Sequence, residues 1–467
     1  MITWIAVFFA IFIGLLFLAS YKSYNKNRTA NEYIFAGSNI GAVLGFLTFA
    51  AALFSAFTFM GMPDFFRNHG VGAWIFLAFS DGFMVFFILW FGYKLRRKAK
   101  AIGYNGVAGM MSQCYGIKWA GYLVFLSSFI FLIPYVAIQI RGISIFLEAA
   151  VPFALPSWIW SALIVVMMIV YAEIGGLKAI MYSDAIQGLL LLVVIWIIGI
   201  SCLDLGGGMR AVFGDVAEKN PELLSLPGPN KLFGPQFLIT SAIAIFMIPA
   251  TQPQFTTRLV VMKSLKSVHT MAFAVGFFAI LVILPTAFIG MYGAIEYPEA
   301  STSDFLSSAL LFDQANPVAA LAVVGLFAAC LSTTNAQIFA LGTELRSLLS
   351  GEEKKVMSIT KVSLLVFSLI VLLFSLVMGD ELALLARVSF TGTSMIAPVV
   401  FGALLFNHPP KILLITSAIA FFIFLGSVVG VLPDHFGIYR MDFILYAIHG
   451  LASTLIMVSH HFQTRNS

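Results

Sequence analysis

The sequence predicts an all-α polytopic membrane protein of about thirteen transmembrane helices, built as a five-plus-five inverted repeat with one helix before it and two after. Three observations predict it. Of 467 residues, 60% are hydrophobic and only 10% are charged, whereas a soluble domain carries about 25% charge. Apolar runs of about 20 residues, the length that crosses a bilayer as a helix, recur from end to end. Two of those runs, five apart in the chain, are expected to be interrupted, one at a cluster of small residues and one at a pair of prolines. Interrupted spans at corresponding places in two halves mark inverted repeats with a site at the midplane. The chain therefore reads as one transmembrane domain, 1–467. Residues 2–20 precede the repeats, 40–203 and 233–406 form them, and 412–459 supply two peripheral helices.

The first run is apolar and ends in small residues, as a signal peptide does. It lacks a basic start and is too long for a usual signal core, so it reads as a retained helix. The second, GAVLGFLTFAAALFSAFTFMGM, is dense in Gly, Ala, Ser and Thr around Ala50, Ala51, Ala52, Phe54, Ser55 and Ala56. Small side chains leave the backbone accessible. A break there exposes carbonyls, which a membrane tolerates only where they line a cavity or a site. The alternative is close packing on a neighbouring helix.

The third helix carries Ser80 and Asp81, either on a watery path or as a hydrogen-bonded carboxyl. The fourth contains Pro134, Tyr135, Gln139 and Arg141. Arg141 lies about 10 Å beyond Pro134. It either snorkels to the interface or holds a carboxylate, which a guanidinium fits well. The fifth and sixth helices join through EIGGLKAIMYSDAIQG, where Gly175 and Gly176 permit a tight reversal. Asp184 and Gln187 then enter the membrane. A carboxylate at the centre of a span costs about 2.5–3.5 kcal/mol, so Asp184 has a partner or a task, unless it sits near enough to the end to be solvated.

The seventh helix ends in IFMIPATQPQFTTRL. Pro249 and Pro253 remove backbone donors and disfavour helix before them, leaving Thr251, Gln252, Gln254 and Thr256 around a break. The alternative is an ordinary helix end anchored by Arg258. The ninth helix places Ser332, Thr333, Thr334 and Asn335 in the middle of an apolar span. Lipid offers such groups no partners. Ala329 and Ser332 share a face with Thr333 beside it, so two hydroxyls next to small side chains make room and oxygens for a small hard cation. A helix-packing face is the alternative. The eleventh helix adds Phe390, Thr391, Gly392, Thr393 and Ser394, with Asp380 and Arg387 near its start. The last two helices show no clustered polar groups.

Charge sets the expected orientation. One set of loops holds Lys22, Lys26 and Arg28, then Lys94, Arg96, Arg97, Lys98 and Lys100, then Arg258, Lys263 and Lys266, then Arg346, Lys354 and Lys355. The other is mainly acidic, with Asp215, Glu218, Glu222, Glu296, Glu299, Asp304 and Asp313. The positive-inside rule puts the N-terminus outside and the C-terminus in the cytoplasm of a multi-pass plasma membrane protein. The net charge of +5 is spread over loops, with no basic block for nucleic acid. Cys114, Cys202 and Cys330 are scattered, so neither a disulfide framework nor a zinc site is indicated. No convergent His, Asp or Glu cluster suggests an enzyme.

With these residues assembled, the chain resembles the sodium/solute symporter family. SAFTFMGMPDFFRNHG, GGLKAIMYSDAIQG and GLFAACLSTTNAQ carry the resemblance, and within the second Gly175, Gly176, Ser183, Asp184 and Gln187 match the family pattern. The resemblance implies a sodium ion held by the carbonyls of Ala51, Phe54 and Ala329 and the hydroxyls of Ser332 and Thr333, with no cofactor. Five oxygens without a carboxylate suit a monovalent ion; calcium takes about six to eight, often with carboxylates. Asn335 and Ala336 stand where some relatives place hydroxyls for a second ion, and Ala336 has no side-chain oxygen. The implied solute wall is Ser55, Thr58, Leu77, Gln252 and Thr391, with Arg141 optional. Leu77 replaces a group that holds sugar hydroxyls in relatives, so a small carboxylate, an amino acid or a monocarboxylate, is the expected cargo. The expected activity is sodium-coupled import by alternating access. The rivals are a transporter-like solute sensor and a proton-coupled amino-acid transporter.

Overall fold

The computed structural model describes residues 1–23, 34–151, 155–174, 176–379 and 381–466. Its helices of nine residues or more, in chain order, are α1 (Ile2–Ser23), α2 (Ala42–Leu53), α3 (Ala56–His69), α4 (Ser80–Ile102), α5 (Val107–Tyr115), α6 (Lys118–Ala150), α7 (Ser157–Ile174), α8 (Gly176–Leu205), α9 (Met209–Lys219), α10 (Pro235–Thr251), α11 (Pro253–Val261), α12 (Leu265–Glu296), α13 (Asn316–Leu348), α14 (Glu353–Val377), α15 (Leu382–Ser394), α16 (Ala397–Leu405), α17 (Ile412–Val428) and α18 (Met441–Asn466). A two-residue hairpin, His435–Phe436 with Tyr439–Arg440, precedes the last helix.

Among the described residues nine helices are long and apolar enough to cross a membrane, and eleven if each of two bent pairs is one span. The thirteen expected would need two shorter apolar helices as well, Ser157–Met167 and Ile412–Val428. The bent pairs are α2 with α3, turning by 53°, and α10 with α11, turning by 54°. These are the two interruptions expected from the sequence. Gly176 takes φ +63° at the start of α8, the conformation that glycine adopts without a Cβ penalty. Gly175 and Asp380 lie outside the described residues.

The broken pairs form the middle of the bundle. α2 packs on α8, α12 and α13; α3 packs on α12, α6 and α15. α10 lies against α15 and α4, and α11 against α13. α1 covers α8 and α13 from the side and leaves Ile11, Ile13, Phe17 and Leu18 exposed, as a lipid-facing helix does. Both ends of the bundle are latched. At the end rich in Lys and Arg, Ile40 and Met262 form a β-bridge, with Ile40 N–H donating to Val261 O (3.1 Å) and Lys263 N–H to Ile40 O (2.9 Å). There too the Glu344 carboxylate of α13 accepts from Val107 N–H (2.9 Å) and Ala108 N–H (2.6 Å), closing the first turn of α5. At the opposite end buried Arg67 of α3 donates to Asp64 and to the carbonyls of Tyr297 and Ala300. His69 stands 3.8 Å from Glu381, just ahead of α15, and holds that carboxyl below its usual range.

One expectation is overturned. α18 is not free of clustered polar groups: Asp442, Tyr446 and His449, spaced four and three apart, share a face and meet the core. Asp442 pairs with buried Arg387 of α15 and with Arg440 (3.2 Å). The Tyr446 hydroxyl lies 2.5 Å from Ser394 Oγ, and His449 Nε2 lies 3.1 Å from Met395 O. Arg387 also donates to Thr240 and Ser241 of α10 and lies over the Phe237 ring. The apolar residues around these three hide them from a hydropathy reading.

Candidate ion and solute site

The break between α2 and α3 is made by side chains. In an unbroken helix the amides of Ser55, Ala56 and Phe57 would bond the carbonyls of Ala51, Ala52 and Leu53. All three are diverted. Ser55 N–H donates to Thr58 Oγ1 (3.1 Å) and Phe57 N–H to Ser55 Oγ (3.1 Å), a capping box that starts α3. Ala56 N–H donates to Gln139 Oε1 of α6 (2.9 Å). Phe54 and Ser55 are extended, at φ −96°, ψ 123° and φ −142°, ψ −166°. Thr58 N–H closes on Ser55 O (2.8 Å) instead of Phe54 O, which frees that carbonyl as well.

The released carbonyls find new partners. Tyr135 of α6 donates to Leu53 O (3.1 Å). Ser332 of α13 donates to Ala51 O and to Ala329 O, each at 3.0 Å, and Thr333 donates to Ala51 O (3.3 Å). The structure therefore brings together four of the five oxygens expected around a cation, from Ala51, Ala329, Ser332 and Thr333. Phe54 follows within the same break. All five residues are buried. Pre-organised dipoles in a dry setting interact strongly with a charge.

One turn along, α2 reaches a second cluster. Thr48 donates to Asp184 Oδ2 (2.6 Å), Arg258 Nε donates to Thr48 Oγ1 (2.9 Å) and an Arg258 terminal nitrogen lies 2.7 Å from Asp184 Oδ2. All three side chains are at most 1% exposed. Asp184 is thus paired rather than solvated, and Arg258 is no loop anchor. It turns inward and ties α11 to α8 and α2. Neither Thr48 nor Arg258 stands out in the sequence, since their partners lie 136 and 74 residues from them. Gln187, one turn from Asp184, is buried, and its amide has no hydrogen-bond partner among the described residues.

The α10–α11 break has a different cause. Pro253 has no N–H to give Pro249 O, and the Thr256 hydroxyl supplies the missing donor (2.8 Å). Gln252 sits at the break, wholly buried, its Oε1 accepting from Gln254 Nε2 (2.8 Å).

The expected solute wall is less concentrated. Ser55, Thr58, Leu77, Gln252 and Thr391 are all buried. The hydroxyls of Ser55 and Thr58 are engaged in capping α3, a role the sequence reading does not assign them. Ser55 Oγ also lies 3.4 Å from the Tyr135 hydroxyl, whose ring meets Phe390 edge-on at 5.1 Å, next to Thr391. Leu77 falls in the wide turn Ile75–Phe79 that opens α4. Arg141 is only half-buried, two residues beyond Gln139 on α6.

Close approach of α8 makes a prediction. A Cβ built on Gly188 would stand 3.1 Å from Ala51 Cβ and 3.4 Å from Leu47 O. Gly188→Val is expected to push α8 off the break, at about 1–3 kcal/mol of overpacking, and to weaken sodium binding about tenfold or more. Gly188→Ala has a smaller effect. A sodium titration of thermal stability measures both, and unchanged affinity in the valine variant rejects the contact as part of the site.

Comparison with known proteins points the same way. The model of the Sodium:solute symporter family matches residues 33–408. The sodium/pantothenate symporter of Haemophilus influenzae (strain ATCC 51907 / DSM 11121 / KW20 / Rd) is 25% identical over 339 residues, 70% of this chain and 68% of that protein. The high-affinity proline transporter PutP of Bacillus subtilis (strain 168) is 19% identical over 95% of this chain and 94% of its own. Among solved structures, a Na+-coupled sialic acid symporter in a substrate-bound outward-open state superposes with a TM-score of 0.75. It is 17% identical, over 97% of this chain and 95% of that one.

Proposed function

We propose, since this chain belongs to the sodium:solute symporter family, that it imports a small carboxylate, an amino acid or a monocarboxylate, by sodium-coupled alternating access. The observation that supports this most is the opened helix at Leu53–Ser55, whose Ala51 carbonyl is turned onto the hydroxyls of Ser332 and Thr333. When sodium binds, those two hydroxyls stay protonated and rotate, so that their lone pairs and the Ala51 carbonyl face the ion. The oxygens of Ala51, Phe54, Ala329, Ser332 and Thr333 then point at the ion, and α2 is stapled to α13. Residues 40–203 and 233–406 act as the two repeats, each opening with a broken span. The basic end faces the cytoplasm, with the N-terminus outside, in a plasma membrane.

Solute lies against the second side of the break, along Ser55, Tyr135, Gln252 and Thr391. The apolar Leu77 and the few hydroxyls there suit a compact solute better than a sugar. Pantothenate and proline, for which the two relatives are named, are both small carboxylates. Sodium and solute each favour the same closed arrangement, so each raises the other's affinity by the same factor.

The test is uptake of radiolabelled amino acids and monocarboxylates into proteoliposomes under an inward sodium gradient. A membrane potential of 100 mV supplies about 2.3 kcal/mol per charge, or roughly 50-fold accumulation for one net charge moved. Uptake that ignores sodium and follows a pH gradient rejects sodium coupling. Sodium-dependent binding without movement marks a sensor.

A further inference from the structure

We propose that the basic end of the bundle carries a binding site for the headgroup of an anionic phospholipid, set beside the joint between the two broken spans. A cavity of about 540 Å³ opens there between α4, the end of α11 and the start of α12, with Arg96, Arg97, Lys100 and Lys263 in its wall and Tyr93 and Tyr104 beside them. Among the described residues its wall holds no carboxylate. Arg97, Lys100 and Lys263 are exposed, and among the described residues none of the three has an ion-pair partner. Arg96 donates to the carbonyls of Leu259 (3.0 Å) and Val260 (2.7 Å), which fixes its guanidinium at the cavity. Four cations converging on one concavity, with no counter-ion among the described residues, are complementary to a phosphate, which arginine binds through paired donors.

The surface leading to the cavity identifies the phosphate as that of a lipid. Phe83, Phe86, Trp90, Tyr93, Arg97 and Lys100 follow one another at spacings of three and four, so they form one stripe along α4. Phe86 is 62% exposed, Trp90 42% and Tyr93 45%. From Phe86 to Lys100 the stripe runs about 21 Å, enough to lay an acyl chain through a leaflet of about 15 Å with its phosphate at the cations. A soluble anion would use the cavity and have no need of the aromatic track.

The position gives the lipid a consequence. Met262 and Lys263 line the cavity and also make the β-bridge to Ile40, directly ahead of α2. A headgroup held by Arg96 and Lys263 ties α4 to the segment after α11 that bridges to Ile40, and so steadies that bridge ahead of α2. It therefore favours the arrangement in which this end is shut.

The experiment incubates the purified full-length protein, in neutral detergent, with equal amounts of phosphatidylglycerol and phosphatidylcholine of matched chains. Retained lipid is counted by native mass spectrometry. Each basic residue beside an anionic lipid surface is worth about fivefold in binding. The wild type is expected to prefer phosphatidylglycerol about 25-fold or more. Arg97→Gln with Lys263→Gln is expected to lose about 25-fold of that preference. Lys354→Gln with Lys355→Gln removes the same charge outside the cavity and is expected to keep it. Melting temperatures report whether each variant is folded, and the wild-type arm stands without them. Equal retention of the two lipids by the wild type overturns the proposal. So does an equal loss in the Lys354/Lys355 control, which would mean diffuse surface charge. Displacement of phosphatidylglycerol by millimolar inorganic phosphate also overturns it, since the site would then be one for a free anion.

Discussion

Ser332→Ala combined with Thr333→Ala is expected to raise the sodium concentration needed for half-maximal uptake by about 10- to 100-fold. Each hydroxyl that points at an ion contributes on the scale of a hydrogen bond to a charged group, about 1.5–3 kcal/mol, and part of that is returned as water or backbone relaxes into the gap. The same substitution acts without sodium. It strips Ala51 O of both its donors, and a buried carbonyl left alone costs about 1–3 kcal/mol. The ion-free protein should therefore melt earlier as well. The two effects separate in a thermal titration. Sodium at a hundred times Kd stabilises by about 2.7 kcal/mol. With Kd raised a hundredfold, the same sodium gives only about 0.4 kcal/mol. Thr333→Ser keeps a hydroxyl at the spot and should remain close to wild type. A double variant that melts early but keeps its full sodium response would leave the hydroxyls a packing role and remove them from the ion's ligands.

How far the sequence reveals this site follows from how each part is made. The α10–α11 break is local chemistry. Pro249 and Pro253 stand four apart, and Thr256 lies within reach to replace the lost donor, so the residues that bend the span are the ones that announce it. The α2–α3 break contains no glycine or proline at its centre. Ala50, Ala51 and Ala52 favour helix, and what opens them is Gln139 and Tyr135, more than 80 residues away. Small side chains only hint at such a break. Ser332 and Thr333 are legible because a polar group within a span needs a reason. Arg258 is not, since beside Lys263 and Lys266 it reads as one more loop cation. Its burial depends on the bend at Gln252, which turns α11 back toward α8. α18 hides its polar stripe for a similar reason: Asp442, Tyr446 and His449 sit one per turn among apolar residues, and mean hydropathy averages them away.

That inward turn makes Arg258→Met the substitution with the greatest expected damage. It leaves the Asp184 carboxylate 1% exposed, with Thr48 as its remaining partner and Oδ1 without any among the described residues. Removing one member of a buried ion pair costs about 3–5 kcal/mol, because the other charge stays behind. Removing both is far cheaper, and apolar replacements of similar volume are often neutral. Asp184→Asn with Arg258→Met is therefore expected to recover most of the lost melting temperature. Transport should not recover with it. Thr48 lies three residues before Ala51 on α2, so the latch and the ion's carbonyl ride on the same turn of helix. Binding at Ala51 holds Thr48 toward Asp184, and closing the latch holds Ala51 toward Ser332. By linkage the two must strengthen each other equally. Without the latch the basic end opens more readily. Each 1.4 kcal/mol of lost closure then lowers apparent sodium affinity about tenfold from the opposite side. A cysteine introduced near Thr257 should also become easier to label. If the double variant regains both stability and wild-type sodium coupling, the pair is only a packing device. If Arg258→Met alone changes neither property, Asp184 has some other cation and the latch is wrongly assigned.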